Sequence, residues 1–380
     1  MHQLARALRP RHVVRVLTQW DTNRTDWLLG TTLRGPAEEK EYEIDGIAVA
    51  RLALPDASRW RLAPWVAAYP VAQGAAIRRI AAALVPEVAR RAQRADLVHN
   101  CRIGREGLTL ASLQVARARG VPFVLTPVHH PRWGGWLHRH YHRIYREADA
   151  VIALTEAERR TLAGLGVDER RIFVTGMGPV LAEKADGARF RHRHALGSAG
   201  VVLFLGQKYP YKGIGPLLQA ARSVWRRRAD VRFVFIGPRT PFSRRRFALE
   251  TDLRILELAE VSLEEKTDAL AACDVLCVPS AQESFGGVFT EAWMMRRPVV
   301  GGDIPAVREV IEDGEDGFLV PPKPAIIAER LLILLDDPAL RARMAERGRL
   351  KVEARFTWPR LAARTEEVYR RALAGGSAPS

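Results

Sequence analysis

The chain has 380 residues, 47% of them hydrophobic, enough for two domains that each bury a core. Lys and Arg number 59 against 43 Asp and Glu, a net charge of +16, which points to nucleic acid, an anionic membrane surface or phosphorylated ligands as partners. No apolar run of about 18 residues is available to span a membrane. Three cysteines, Cys101, Cys273 and Cys277, are too few for a disulfide framework and read as reduced thiols of a cytoplasmic protein.

In chain order, residues 4–9 read as the end of a helix and 13–18 as a strand. Residues 43–49 read as a hairpin turn entering a second short strand. The Arg- and Trp-rich residues 58–65 read as a loop, and 77–94 as an amphipathic helix in spite of Pro86. Those two segments have an ordinary reading as surface and a functional one as interfacial membrane contact. Residues 96–99, 121–126, 150–155 and 171–174 read as strands, with a helix over 107–119. Residues 181–200 are polar and basic and read as a linker.

The rhythm then restarts. Residues 201–205, 232–236, 274–279, 298–302 and 318–320 read as strands. Helices are expected over 214–227, 263–272, from 288, and over 324–335, 338–355 and 358–373. Strands alternating with helices across short turns imply parallel sheets in doubly wound α/β layers, here two in tandem.

Ligands of open α/β sheets gather at the carboxyl ends of strands. Four loops at such ends carry unusual residues: 127–135 in the first half, and 206–213, 237–240 and 281–287 in the second. A cleft between domains is therefore the expected site. Lys208 and Lys212 are two of only seven lysines in the chain. Lys212, beside Gly213 at a helix start, suits a point charge on a phosphate, although two solvated lysines is the plainer alternative. Glu283 and Glu291 bracket a strand-to-helix turn through Ser284, Phe285, Gly286 and Gly287. Glu291 alone reads as a helix-start acid complementing the dipole, whereas Glu283, ahead of two glycines, does not.

His129 and His130 follow a strand end, where a histidine either orients a substrate or is simply structural. His138 and His142 share a helix face, and Cys273 and Cys277 sit four apart. No further ligand is placed to complete a site in either case, so no metal is expected. The arginines are scattered, without zinc-finger spacing or an aromatic RNA-binding signature, so nucleic acid is not expected.

Taken together, Gly206, the Lys212-Gly213 pair, Glu283 and Glu291 with Phe285 and Gly286 between them, and residues 314–320 resemble glycosyltransferase family 4, the group 1 retaining transferases of GT-B fold. The resemblance implies two Rossmann-like domains facing a cleft: an acceptor-side domain over 1–180, a linker over 181–199 and a nucleotide-sugar domain over 200–356. A helix over 357–374 would cross back to the first domain. It implies a UDP- or GDP-sugar as donor substrate, no cofactor, and a hydroxyl acceptor on a glycan, lipid or small molecule, with glycan biosynthesis as the setting. Peripheral contact with an anionic membrane at its inner face is a further expectation.

In that scheme Lys212 neutralises the departing diphosphate, with Gly206, Gln207, Lys208 and Gly237 lining the donor site. Glu283 and the backbone at Ser284–Gly287 hold the donor sugar, and Glu291 takes the ribose hydroxyls. His129 or His130 lies near the reacting sugar.

Two departures stand out. Gln207 occupies a place where the family has Arg, a role Lys208 is expected to fill. The family's first strand and Gly-Gly loop precede the helix that ends here near Arg9, so the first domain is expected to lack its usual first strand. These departures motivate a second reading, a non-catalytic sugar-nucleotide-binding or scaffold protein, and a third, an epimerase of the same fold.

Overall fold

The computed structural model describes residues 1–20, 27–101, 106–130 and 138–375. The chain divides into two compact units, Met1–Thr175 with Leu361–Ser380, and Gly176–Arg360.

The first unit runs α1 (His2–Leu8), β1 (Arg15–Thr18), α2 (Trp27–Gly30), β2 (Lys40–Ile44), β3 (Ile47–Arg51), α3 (Asp56–Ala67), α4 (Gln73–Arg91), β4 (Val98–Cys101), α5 (Glu106–Arg119), β5 (Phe123–Thr126), α6 (Arg139–Glu147), β6 (Ala150–Ala153), α7 (Glu156–Gly164) and β7 (Ile172–Val174). The hairpin expected near residue 45 joins β2 to β3. Asp45 and Gly46 both take positive φ, 51° and 69°, as a two-residue turn matching strand twist requires. The strands form two sheets, ordered β1-β3-β2 and β4-β5-β6-β7, the second wholly parallel. Within the described residues β1 and β4 each pair on one side only.

α5 lies between two apolar clusters. Ala111 and Val115 join Leu62, Ile77, Ile80 and Leu84 of α3 and α4. Leu113 and Ala116 join Phe123, Val151 and Ile172 of the parallel sheet. Residues 58–65 are not a loop but the body of α3. Leu62 and Val66, one turn apart, are buried beside Tyr69, and that burial outweighs Pro64 in the helix interior.

The second unit runs α8 (Gly187–Arg193), β8 (Val201–Leu205), α9 (Ile214–Trp225), β9 (Arg232–Ile236), α10 (Pro241–Phe247), β10 (Ile255–Leu258), α11 (Leu263–Ala272), β11 (Val275–Val278), α12 (Gly287–Met294), β12 (Val299–Gly302), α13 (Pro305–Arg308), β13 (Gly317–Val320), α14 (Pro324–Asp336) and α15 (Pro338–Arg355). α16 (Trp358–Gly375) follows, and from Leu361 onward it belongs to the first unit. One parallel six-stranded sheet, ordered β10-β9-β8-β11-β12-β13, is covered on both faces. Its central strands are fully buried, so they read as unbroken apolar runs rather than alternating ones.

The segment expected to be a linker is instead built into this unit. Asp186 caps α8 by accepting from Arg189 N–H at 2.9 Å. Phe190 is buried, and Asp268 of α11 accepts from Asp186 N–H at 2.6 Å and Arg189 Nε at 2.7 Å. One apolar anchor and one buried acid tie down a stretch whose composition alone is that of a linker.

Candidate functional site

Strand order locates the site of the second unit. The chain lays β9 and then β10 on one flank of β8, and afterwards crosses to place β11 on the other. Such a reversal opens a crevice beyond the carboxyl ends of β8 and β11. The loops leaving those ends are 206–213 and 279–286, and they are bound to each other. Ala281 N–H donates to Tyr211 O at 2.7 Å. Gly213, left-handed at φ 81°, lies so close to Pro279 that a Cβ there would stand 2.3 Å from Pro279 O.

At this junction Lys212 Nζ donates to Glu283 Oε1 at 2.6 Å, and Ser280 Oγ donates to the same oxygen at 2.9 Å. Lys212 and Glu283 retain 17% and 11% side-chain exposure, enough to meet a ligand yet with little competing water. Gly286, at φ 85°, is the N-cap of α12, and among the described residues no side chain caps that end. A helix start of this kind presents N–H groups and positive dipole to an anion or hydroxyl. Ser284 is half-buried. Phe285 is buried at a right angle to Phe356, ring centroids 5.3 Å apart, which fixes the turn from below.

Glu291 is buried in α12. Its Oε1 accepts from Lys266 Nζ at 2.9 Å and from Val180 N–H at 3.2 Å. Its Oε2 is buried and, among the described residues, accepts from no group. Burial raises the Glu291 pKa against the pull of Lys266 and the Val180 N–H. A carboxylate with one oxygen anchored and the other uncommitted is suited to a ligand hydroxyl. Lys266, which also donates to Val180 O at 2.5 Å, went unnoticed in the sequence. It lies 25 residues from its acid, and nothing in its neighbours marks it.

The 237–240 loop meets the 206–213 loop. Gly237, at φ 143°, approaches Gly206 so closely that a Cβ would come 2.0 Å from Gly206 O. Lys208 N–H donates to Pro238 O at 3.3 Å, and Thr240 Oγ1 to Lys208 O at 2.7 Å. Gln207 is half-buried. Lys208 was expected to stand in for an arginine at the diphosphate, but its ammonium is buried and committed to Glu257 and, at 2.5 Å, to Leu258 O. Arg239 Nε reaches Glu257 Oε2 at 2.8 Å. Burial alone would raise the Glu257 pKa, and Arg239 and Lys208 together hold it below the ordinary range.

In the first unit, His129 is buried with Nδ1 3.1 Å from Tyr145 OH, and His130 is half-buried. Val128, a β-branched residue, takes φ 48°, a strained conformation that the next residue's anchoring must hold. That anchor is Glu158, which accepts from His129 N–H at 2.5 Å and from Leu154 N–H at 2.7 Å. Burial, with His142, His130 and His138 nearby, lowers the His129 pKa to about 4. Burial pushes Glu158 up to about 7. Residues 131–135 of the expected loop lie outside the described residues.

The three cysteines carry no disulfide. Among the described residues no group of three His, Cys, Asp or Glu is arranged to hold a metal ion, and no helix is long and apolar enough to cross a membrane.

Two family models match the chain: a glycosyl transferase 4-like domain over residues 1–178 and glycosyl transferases group 1 over residues 188–351. The chain is 35% identical over 257 residues to a D-inositol 3-phosphate glycosyltransferase of Kineococcus radiotolerans, covering 61% of this chain and 59% of that one. It spans less than two thirds of the length of the curated relatives it matches first.

Among solved structures, sucrose-phosphate synthase from Thermosynechococcus elongatus superposes with TM-score 0.74 at 20% identity, covering 98% of this chain and 92% of that one. Anabaena Alr3699/HepE in complex with UDP and glucose superposes with TM-score 0.72 at 19% identity, covering 97% and 95%. These likenesses give the fold, GT-B, with two Rossmann-like domains. On its two family models, the chain belongs to the group 1 glycosyl transferases.

Proposed function

We propose that this chain transfers a sugar from a nucleotide-diphosphate sugar, UDP- or GDP-linked, to a hydroxyl acceptor, with retention of configuration and without a metal. The observation that carries the reading is the Lys212–Glu283 pair where β8 and β11 diverge, beside the uncapped start of α12. Lys212 takes the charge that develops on the diphosphate as the bond from the anomeric carbon to the phosphate oxygen breaks. Glu283 and the Ser284–Gly287 backbone hold the sugar hydroxyls. Oε2 of Glu291 takes a ribose hydroxyl. The acceptor oxygen bonds to the anomeric carbon and its proton passes to the departing phosphate. For His129 and His130, just beyond β5, the proposed role is to orient a sugar substrate. The glycosyltransferase activity of the Kineococcus radiotolerans relative and the UDP and glucose bound by Alr3699/HepE support a sugar nucleotide as donor.

The test is a thermal-shift panel of nucleoside diphosphates and their sugars, followed by donor hydrolysis and transfer assays. A rise in melting temperature with one base, and turnover lost in Glu283→Ala and Lys212→Ala, are expected. No shift with any nucleoside diphosphate would overturn the reading, and a shift without turnover would mark a binding protein. The anomeric configuration of the product, read by NMR, decides retention, and activity in excess EDTA decides metal independence.

We place the enzyme in the cytoplasm, in peripheral contact with an anionic membrane through α3 and the start of α4. Trp60 is 79% exposed and Val71 90%, and Arg61, Arg78 and Arg79 are exposed too. Such a pairing of aromatic and basic side chains suits a headgroup layer. Co-flotation with phosphatidylglycerol vesicles, lost in Trp60→Ser, tests it, and equal flotation of the two proteins counts against it.

A further inference from the structure

Two tyrosines of the loop after β8, Tyr209 and Tyr211, have no part in the scheme above. Their rings stack with centroids 5.5 Å apart and planes 12° from parallel. The Lys212 ammonium lies 5.6 Å from the centroid of the Tyr211 ring, within the range at which a cation is held by a ring face. Tyr211 is itself fixed at two levels, since its carbonyl takes the Ala281 N–H at 2.7 Å and its ring rests on Tyr209. The ammonium thus stands between an anchored aromatic ring and Glu283 Oε1, which Ser280 Oγ holds from a third direction.

These contacts differ in what a ligand does to them. A diphosphate at Lys212 competes with Glu283 for the same protons, because both are anionic oxygen acceptors. It does not compete with the ring, whose quadrupole attraction needs no proton of its own. When the anion arrives, the carboxylate contact weakens and the ring contact persists. A lysine stem has four rotatable carbons and loses considerable rotamer freedom on being fixed. A ring that holds the head in both states removes part of that cost from binding.

We propose that Tyr211, braced by Tyr209, is a positioning residue for Lys212: it holds the ammonium at the mouth of the β8–β11 crevice in the free protein and during transfer of the cation from Glu283 to the donor diphosphate. The proposal rests on the reading that Lys212 meets a diphosphate.

The experiment is a double-mutant cycle on UDP and GDP affinity, measured by calorimetry on the full chain, with the melting temperature of each variant as a check on folding. Tyr211→Phe keeps the ring and should bind within about twofold of the wild type. Tyr211→Leu should weaken binding by about 2- to 30-fold, the span of exposed to desolvated cation–π contacts. In a Lys212→Ala background the same leucine change should have no further effect, a result that general loosening of the loop would not give. If the leucine variant does not fold, Tyr211→Gln takes its place with the same expectation.

Wild-type affinity in Tyr211→Leu, or an equal loss with and without Lys212, overturns the role of Tyr211 and leaves the diphosphate reading standing. Unchanged affinity in Lys212→Ala overturns both.

Discussion

Lys212 Nζ stands 2.6 Å from Glu283 Oε1, so the cation proposed for the donor diphosphate and the acid proposed for the donor sugar neutralise each other in the free protein. A diphosphate therefore has to compete for Lys212. Glu283→Gln removes the competitor and keeps the shape, so UDP should bind about fivefold tighter, equivalent to ~1 kcal/mol for a partly solvated ion pair. Transfer to acceptor should fall steeply in the same variant, because the sugar loses a charged hydrogen-bond acceptor. Calorimetry with UDP and a turnover assay read the two effects with opposite signs. Weaker UDP binding in Glu283→Gln would show that the pair does not oppose the diphosphate.

Lys266 and Glu291 form a second pair with 19% and 8% side-chain exposure, Glu291 lying one turn in from the start of α12. Lys266→Met leaves a buried carboxylate without its cation, and the expected loss of stability is about 3 kcal/mol. Glu291→Gln should cost less, because a neutral amide retains an acceptor for the Val180 N–H. Urea denaturation of both variants checks the order, and the reverse order would contradict it.

Gly213 combines a left-handed backbone with contact to Pro279. In Gly213→Ala the added carbon meets a backbone carbonyl rather than a movable side chain, so the two loops must separate. A loss of about 2 kcal/mol is expected from strain and displaced packing, together with weaker UDP binding because Lys212 is the adjacent residue. A variant as stable as the wild type would mean the loops part without cost.

His99 of β4 is held through Nδ1 by Tyr369 OH at 2.7 Å and through Nε2 by Thr126 Oγ1 at 2.8 Å. Burial lowers its pKa to about 4, from an ordinary value near 6.5. The native state thus favours the neutral ring. Its contribution is complete above pH 6.5 and is lost as the pH falls towards 4, where the unfolded chain binds the proton first. His129 has the same sign and window. The Glu158 carboxyl, raised to about 7, has the opposite sign and loses its contribution as the pH rises from about 4.5 to 7. Among these three groups, the two histidines outweigh the one acid on acidification. In His99→Gln the melting temperature should fall less between pH 6.5 and 4.5 than in the wild type, and parallel curves would refute the assignment.

Much of the second unit was legible because its strands are short apolar runs punctuated by glycine, and β8, β9 and β11 follow from residues 201–205, 232–236 and 274–279. The pairing of Glu283 with Lys212 was only half legible. Composition marked both residues as unusual, but strand order, which no local pattern encodes, brings the 206–213 and 279–286 loops together. Lys208 shows the converse. It shares a loop with Lys212, yet its head turns inward to Glu257 on β10, a strand the sequence reading passed over. α3 was missed because Arg, Trp and Pro64 obscure the helical spacing of Leu62 and Val66. The anchor of Glu291 was missed because Lys266 meets it only after α11 and α12 are packed.

α5 buries one face among α3 and α4 and another against the β4–β7 sheet. Hydrogen exchange would therefore find no independent protection for it. Local opening of either half strips one side of the helix, so its amides should exchange with the less stable of the two halves. Substitutions on its two faces should separate them: Val115→Ala should speed exchange in α4 first, and Leu113→Ala in β5. The helix that joins the halves of this unit is thus also the probe that ranks them.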